Sequence, residues 1–371
     1  MQQLTCVGPG QVEWIDVPEP EIEGPDEALV RPLATARCAI DPILMAGGPV
    51  GAGGDAGGSG GSGGSGDDGA RFALGHEAVA EIVAVGSAVT GLSVGQVVVP
   101  AFQVSCGRCG RCARGQTAVC ESYPVLSDYG MQPLSGVEYG GMLSDLVRVP
   151  HASAMLHVAP PGVPPVELAG VADNVADGYR AVAPHLAELP GADVLVACHG
   201  NQGIGLFAAQ AAGALGAGRV TFASDDPAAL ALAERVGAVP LRTDFGRRDG
   251  RFPIVVDCGL RAEGLQYAVA STEPEGVCHS VSGYVDTRGP EFALPFLRMY
   301  TLGIRFLMGR LHATAVIPEV LDLIAAGRLR PSELTTQLVA WGDAAARYTD
   351  PTIKLVVARD EAHNQVEPPT P

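Results

Sequence analysis

Four cysteines lie close together in a loop that is rich in glycine and arginine. They follow the spacing Cys106-x2-Cys109-x2-Cys112-x7-Cys120. Thiolates at these intervals can surround one tetrahedral zinc ion and leave no coordination position open to solvent. Soft sulfur ligands also suit an iron–sulfur cluster, and four unrelated thiols are a further alternative. A closed site of this kind stabilises the fold without catalysing a reaction, so any catalytic group must lie elsewhere.

A second, scattered set of residues has the chemistry of a catalytic metal site. Cys38 stands three residues before Asp41, and His76 directly precedes Glu77. A catalytic zinc ion needs three protein ligands and one open position. Cys38 and His76 supply two ligands, and Asp173 is a candidate for the third. The place of Asp173 at the start of a predicted helix equally suits an N-cap.

A glycine-rich turn follows the apolar run 193–198. It reads Gly200-Asn201-Gln202-Gly203-Ile204-Gly205, and a helical pattern begins within it. At such a strand–turn–helix junction, backbone amides and the helix dipole bind the pyrophosphate of a dinucleotide. Because Gln202 stands where the common motif has its middle glycine, a glycine turn without a ligand stays open as an alternative.

The next strand of this unit ends in Ser224-Asp225, about 20 residues further on, where an acidic side chain would meet the adenosine ribose. A carboxylate there accepts hydrogen bonds from the ribose hydroxyls of NAD and repels the 2′-phosphate of NADP. Serine alone would be neutral or would favour NADP. The pair therefore predicts NAD, with NADP kept as an alternative by three later arginines, Arg242, Arg247 and Arg248.

Two different secondary-structure patterns surround these motifs. Residues 1 to about 155 contain short β-branched runs closed by glycine or proline, which predicts a β-rich region. From about 175 to 305 strands alternate with helices, which predicts a parallel sheet with helices on both faces. The predicted elements are strands at 79–86, 96–100, 193–198, 219–223, 252–257 and 353–358, and helices at 203–215, 227–236 and 317–326.

A Gly/Ser-rich tract runs from Gly47 to Gly69. Such a composition cannot bury a core and predicts a flexible loop. A mobile lid over a cleft, an inert insertion and an engineered linker are the three interpretations.

Composition limits the class of protein. The chain has 371 residues, enough for two domains, and a formal net charge of −17. That charge argues against nucleic acid or an anionic membrane surface as the main partner, because both require a basic face. The sequence starts without a signal-peptide pattern, and its long apolar stretches are interrupted, so we expect a cytoplasmic protein. In that compartment the nine cysteines are expected to be thiols or metal ligands rather than disulfides.

Together these motifs resemble the zinc-containing medium-chain dehydrogenase/reductases, the alcohol dehydrogenase-like family, over nearly the whole chain. The resemblance implies an α/β fold with a Rossmann-type, doubly wound parallel-sheet domain and a β-rich, GroES-like catalytic domain. It places the catalytic domain at 1–174 and 306–371 and the dinucleotide-binding domain at 175–305. It also implies a homodimer or homotetramer that acts on a small-molecule substrate.

The resemblance also implies roles for individual residues. The segment from Asp173 to Tyr179 is similar to a family variant in which an aspartate replaces a cysteine as zinc ligand. The implied catalytic zinc site consists of Cys38, His76 and Asp173, with Glu77 as an alternating ligand or a neighbour of the ligands and Asp41 as a support. The implied structural zinc site consists of Cys106, Cys109, Cys112 and Cys120, and Lys354 is implied to lie near the pyrophosphate.

The function implied is zinc-dependent hydride transfer between an alcohol or polyol, or the matching carbonyl, and NAD. Alternatives are a formaldehyde or aldehyde dehydrogenase or dismutase, a zinc-free quinone or enoyl reductase, and a cofactor-binding relative that has lost catalysis. Cys38 and His76 argue against the zinc-free enzyme. Many family members begin a proton relay with serine or threonine two residues after the zinc cysteine, whereas this chain has Ile40, and Ile43 offers no substitute.

Overall fold

A computed structural model describes residues 1–47, 71–283 and 293–359. From position 48 onward, the Gly/Ser-rich tract lies outside these residues.

The strands, in chain order, are β1 (Gln2–Gly8), β2 (Gln11–Asp16), β3 (Ala28–Ala36), β4 (Phe72–Ala73), β5 (Glu77–Val85), β6 (Val97–Pro100), β7 (Val147–Val149), β8 (Leu156–Val158), β9 (Val194–Ala197), β10 (Val220–Ser224), β11 (Val239–Arg242), β12 (Phe252–Asp257), β13 (Thr272–Ser280), β14 (Arg305–Met308), β15 (Gln337–Ala340) and β16 (Leu355–Ala358).

The helices are α1 (Asp41–Met45), α2 (Ala152–Met155), α3 (Pro165–Leu168), α4 (Ala176–Arg180), α5 (Ala183–Glu188), α6 (Gln202–Ala214), α7 (Pro227–Arg235), α8 (Ala262–Ala270), α9 (Phe296–Leu302), α10 (Ala313–Ala325) and α11 (Ala344–Arg347). Short 3-10 turns lie at Cys112–Arg114, Thr117–Val119, Pro331–Leu334 and Trp341–Asp343, and a π-helical turn lies at Val171–Val175. None of the helices among the described residues is long and apolar enough to cross a bilayer.

Six parallel strands form one sheet in the order β11-β10-β9-β12-β13-β14. Alternate side chains of β9 enter two different cores. Val194 and Val196 pack on the face of the sheet that α6 and α7 cover, whereas Leu195 and Ala197 pack on the opposite face, against α8 and α9. The strand order reverses between β9 and β12, and ligands of doubly wound sheets bind at the carboxyl ends of the strands at such a point.

The remaining strands form two further sheets. One has the order β15-β16-β3-β5-β6-β8 with β7 paired to β3, and the other has the order β2-β1-β4. The chain therefore returns to its first, mostly antiparallel part after completing the parallel sheet. Strand β14 begins at Arg305 and pairs with β13, so the predicted boundary between 305 and 306 falls inside a strand; the predicted division of the chain stays a prediction.

Helix α4 lies at the junction of the two parts. It packs closely on α6 because Gly178 has no side chain: a Cβ there would lie 2.6 Å from the backbone nitrogen of Ala208. Just before α4, the Val175 N–H donates to the Gly170 carbonyl at 3.1 Å, a five-residue step that belongs to a π-helical turn. Such turns often occur at functional sites, and this one carries Asp173.

Candidate metal and cofactor sites

The four clustered cysteines form one compact group. Their Sγ atoms all lie within 4.8 Å of one another, and all four thiols are free. Backbone N–H groups point at the sulfurs, with Cys109 donating to Cys106 Sγ and Cys112 donating to Cys109 Sγ, each at 3.4 Å. Sulfur atoms gathered and hydrogen-bonded in this way suit a closed tetrahedral zinc site.

Local hydrogen bonds favour the thiolate form at Cys106. Burial acts to raise the pKa of this thiol, but hydrogen bonds from Ser122 and from backbone amides outweigh it and lower the pKa to about 6. Because a metal binds the thiolate rather than the thiol, this environment is prepared for a cation.

A second group consists of the side chains of Cys38, His76, Glu77 and Asp173, whose ligand atoms also lie within 4.8 Å of one another. Cys38 follows β3, and His76 immediately precedes β5. The antiparallel pairing of Ala36 with Glu77 brings these two strand ends together. The four residues are buried, so the structure brings a sulfur, a nitrogen and carboxylate oxygens together in one site away from solvent.

Asp173 faces this group and does not cap a helix. Its Oδ2 lies 3.3 Å from His76 Nε2, and α4 has no side-chain N-cap bond. Asn174, the next residue in the π-helical turn, donates from Nδ2 to Cys38 Sγ at 3.1 Å and to Asp173 Oδ2 at 3.0 Å. The wide turn therefore points both side chains into the group.

The charges in and around this group favour the binding of a cation. Burial raises the pKa of the Cys38 thiol to about 11, and the negative charge of Asp173 adds to the effect. Burial acts to lower the pKa of His76, but the charge of Asp41 and the hydrogen bond with Asp173 hold that pKa well above its usual value. A metal ion at the shared point would supply the missing positive charge and favour the thiolate and the neutral imidazole.

Asp41 supports the imidazole from its other side. Its Oδ1 lies 3.4 Å from His76 Nδ1, a contact rather than a well-aligned hydrogen bond. Its Oδ2 accepts from the backbone N–H of Cys38 at 2.9 Å and from the Tyr348 hydroxyl at 3.1 Å. Histidines that bind metals through one nitrogen are commonly held in this way through the other.

A cleft of about 740 Å³ opens beside Cys38. The glycine turn lines one wall, with Gly200, Gln202 and Gly203, and helix α7 contributes Arg235. Gly200 has φ +128°, and a Cβ there would lie 2.9 Å from Leu260, so only glycine fits the turn. The remaining turn residues, Ile204 and Gly205, are buried in α6, where Gly205 packs against Cys198.

Comparison with known proteins gives the family. Residues 24–161 match the model of the alcohol dehydrogenase GroES-like domain. A medium-chain reductase/dehydrogenase of an Acremonium species is 30% identical over 245 residues, covering 65% of this chain and 75% of the relative. The chain belongs to the zinc-containing medium-chain dehydrogenase/reductases.

More distant relatives extend the similarity over nearly the whole chain. A probable zinc-binding alcohol dehydrogenase of Mycobacterium tuberculosis is 26% identical over 359 residues, covering 94% of this chain and 84% of the relative. The solved alcohol dehydrogenase of Thermus sp. ATN1 superposes with a TM-score of 0.81 at 26% identity, covering 97% of this chain and all of that one. The predicted fold class and the predicted zinc-type, alcohol dehydrogenase-like oxidoreductase are thus confirmed, with a nicotinamide cofactor and small-molecule substrates.

Lys354, which the family resemblance implies to lie near the pyrophosphate, is paired with Glu77 in the structure. Its ammonium group lies 2.9 Å from both carboxylate oxygens of Glu77 and donates to Asn174 Oδ1 at 2.8 Å and to the Arg37 carbonyl at 3.2 Å. Lys354 is buried, and the preceding residue, Ile353, lines the cleft. The structure therefore joins Lys354 to Glu77 beside the candidate metal ligands, and its predicted place near the pyrophosphate stays a prediction.

The two residues predicted at the adenosine ribose differ in environment. Ser224 is buried, and its hydroxyl accepts the backbone N–H of Asp226 at 3.1 Å. Asp225 has a half-exposed carboxylate 3.8 Å from His199 Nε2. Asp225 is therefore the more exposed of the two, whereas the acidic residue that lines the cleft is Asp226.

Sequence reasoning missed several residues of these sites. Asn174 touches two candidate ligands, Tyr348 holds Asp41, and Arg235 lines the cleft in place of the three arginines considered from the sequence. Asn174 directly follows Asp173 in the sequence, and this position could have identified it as a candidate site residue. Tyr348 contacts Asp41 across 307 residues, and no local pattern reveals such a contact.

Proposed function

We propose that this protein oxidises an alcohol or polyol, or reduces the matching carbonyl compound, with NAD as its cofactor. The observation that carries the proposal is the buried group of Cys38, His76 and Asp173 beside the cleft lined by the glycine turn. Sulfur, nitrogen and oxygen ligands within 4.8 Å of one another match a catalytic zinc site with one position left for substrate.

The residues present fit a zinc ion on chemical grounds. The donor set carries excess negative charge in a buried place, and Asp41 Oδ1 and His76 Nδ1 lack a well-formed hydrogen bond. Cys38, His76 and Asp173 would hold the ion, and Lys354 neutralises Glu77 beside them. When bound, zinc supplies a Lewis acid that polarises an alcohol or carbonyl oxygen.

The chain itself positions the reactants. Asp41 orients the imidazole of His76, and Asn174 fixes Cys38 and Asp173 relative to each other. The backbone amides at the start of α6 would bind the pyrophosphate of the cofactor, whose nicotinamide would supply the hydride chemistry. Ile40 has no group that transfers a proton, so we expect the alcohol proton to leave through water.

NAD is the proposed nicotinamide cofactor because the exposed carboxylate in this region belongs to Asp225. A 2′-phosphate would be repelled by this carboxylate and by Asp226, which lines the cleft, and the opposing feature is Arg235, which lines the cleft as well.

Zinc content and turnover test the proposal together. The purified protein is assayed by elemental analysis and by nicotinamide absorbance with alcohols, polyols, formaldehyde and longer aldehydes. Two zinc ions per chain and oxidation of an alcohol or polyol support it. Turnover confined to formaldehyde or other aldehydes identifies the alternative dehydrogenase or dismutase. Two zinc ions without turnover on any of these compounds contradict it and favour the catalytically impaired relative.

A further inference from the structure

One arginine is built into the wall of the cleft beside the candidate catalytic group. Arg37 follows β3 and directly precedes Cys38, and its backbone N–H donates to the Leu355 carbonyl of β16 at 2.9 Å. Although only 6% of its surface is exposed, Arg37 lines the cleft together with Cys38 and the glycine turn. It therefore meets any ligand of the cleft from a fixed, buried position.

The guanidinium of Arg37 is bound to neutral groups within the described part of the chain. Its Nη1 donates to the carbonyls of Tyr348 and Asp350, the latter at 2.8 Å, and its Nη2 donates to the Thr352 carbonyl at 3.1 Å. The Asp350 carboxylate pairs with Arg347 at 2.5 Å instead, and no carboxylate of the described residues lies within 4.0 Å of the Arg37 guanidinium. Buried charges are normally paired with an opposite charge, so the positive charge of Arg37 is left without a counter-ion there.

The same guanidinium keeps a donor that a ligand can reach. Its Nε forms no hydrogen bond with the described residues. No atom of Arg37 belongs to the solvent-excluded polar atoms that lack a partner among those residues, so Nε stays in contact with solvent. The three carbonyl bonds fix the plane of the guanidinium, and a donor fork that is held in this way loses little freedom when it binds an oxyanion.

Two other cations near the cleft are placed differently. Lys354 is neutralised by Glu77, whose two carboxylate oxygens both lie 2.9 Å from the ammonium group. Arg235 lines the cleft from the last turn of α7. Arg37 is thus the cleft-lining cation that adjoins the candidate metal ligands.

We propose that Arg37 binds the diphosphate of the cofactor, together with the backbone amides at the start of α6. This inference rests on the proposed function, because it requires a dinucleotide in the cleft. Phosphate oxygens carry the negative charge that the surroundings of Arg37 lack, and the planar guanidinium matches their geometry. The glycine turn supplies neutral amides, so the charge of Arg37 distinguishes a diphosphate from an uncharged ligand of similar shape.

Ligands that share the adenosine group and differ in the diphosphate test the assignment. The purified, zinc-loaded protein is titrated with NADH by fluorescence, and ADP-ribose and adenosine are measured as competitors, in the wild type, Arg37→Met and Arg37→Lys. Arg37→Met should weaken the binding of NADH and ADP-ribose by at least about tenfold and that of adenosine by less than about threefold, since charge-assisted hydrogen bonds to phosphate are lost. Arg37→Lys keeps the charge without the donor fork and should weaken ADP-ribose less than Arg37→Met does, but by at least about threefold.

Steady-state kinetics supply a second readout. KM for NAD should rise in Arg37→Met by about the same factor as the dissociation constant of ADP-ribose. Arg330→Met is the matched control, since Arg330 forms an exposed pair with Glu333, and it should leave all three affinities unchanged. Zinc content and thermal melting of every variant identify a folding defect. If Arg37→Met does not fold, the comparison of ADP-ribose with adenosine in Arg37→Lys decides the question.

Equal weakening of ADP-ribose and adenosine in the Arg37 variants assigns this residue a purely structural role and overturns the inference. Unchanged affinities in Arg37→Met overturn it as well, and a selective loss of ADP-ribose binding in Arg235→Met then assigns the diphosphate to Arg235. These results leave the proposed function standing. A folded, zinc-loaded wild type that binds neither NADH nor ADP-ribose contradicts the inference and the proposed function together.

Discussion

Asp173 Oδ2 lies 3.3 Å from His76 Nε2, and the two residues are 97 positions apart in the chain. The contact joins the π-helical turn before the parallel sheet to the residue that directly precedes β5 in the first part of the chain. Because Cys38 lies in the same group, any metal bound there links the two halves of the molecule at the cleft.

Cys106→Ser should remove the structural zinc ion and destabilise the fold. Structural zinc contributes folding free energy directly, so we expect zinc to fall from two ions to one per chain and the melting temperature to fall by roughly 10 °C. Elemental analysis and calorimetry measure both. Cys6→Ser is the control, because Cys6 is buried but outside either group. Unchanged zinc in Cys106→Ser would count against a site of four cysteines.

Asp225 should set the preference for NAD over NADP. We expect kcat/KM to favour NAD by at least about tenfold in the wild type, and Asp225→Ala to raise the efficiency with NADP by about tenfold, since a carboxylate near the 2′-phosphate is removed. Asp322→Ala, an exposed change on α10, should alter neither value. A wild-type preference for NADP would assign control of this site to Arg235 or another arginine.

His279 should make the protein less stable in mild acid. Burial, then the charges of Arg180 and His185, lower its pKa to about 3. An unfolded histidine titrates near 6.5, so below that pH the unfolded chain binds a proton that the folded chain refuses. Stability is therefore lost as pH falls, by about 2 kcal/mol between pH 7 and 5. Urea unfolding at both pH values should show a smaller loss in His279→Gln; identical losses would contradict this assignment.

The edge of the parallel sheet should form a homodimer contact. In the described part of the chain β14 pairs on one side alone, and Leu307 and Met308 are exposed on it. The adjoining α9 exposes Leu297 and Tyr300, at 81% and 86%. Exposed edges and apolar patches of this kind mark association surfaces. Light scattering should give a dimer or tetramer for the wild type and a monomer for Leu297→Glu/Met308→Glu; the control Val94→Glu should stay associated.

Much of the fold was predictable because its signals are local. The glycine turn between β9 and α6 is visible in the sequence because its backbone requires glycine. Gly200, for example, has a φ of +128°, which residues other than glycine rarely adopt. Gln202 replaces the middle glycine of the common motif without changing the predicted strand–turn–helix unit, because α6 begins at this residue. The spacing of Cys106 to Cys120 is equally local, and the structure gathers those sulfurs as the spacing predicts.

The remainder depends on contacts between distant parts of the chain. Lys354 meets Glu77 across 277 residues, and Arg310 meets Asp128 across 182. The packing of the sheets decides which charged side chains meet in the interior. No periodic pattern in the sequence encodes these pairings. Asp173 shows the intermediate case, since its position suited both a helix cap and a metal ligand until the π-helical turn set its direction.

The proposed catalytic site depends on Asp173 as a ligand of its zinc ion. Asp173→Asn removes the negative charge and keeps a side chain of the same shape, so the most direct measurement is zinc per chain in this variant together with its turnover on the best alcohol. We expect one zinc ion in place of two, activity reduced by at least about 100-fold, and a melting temperature close to that of the wild type. Two zinc ions and normal turnover in Asp173→Asn would contradict it.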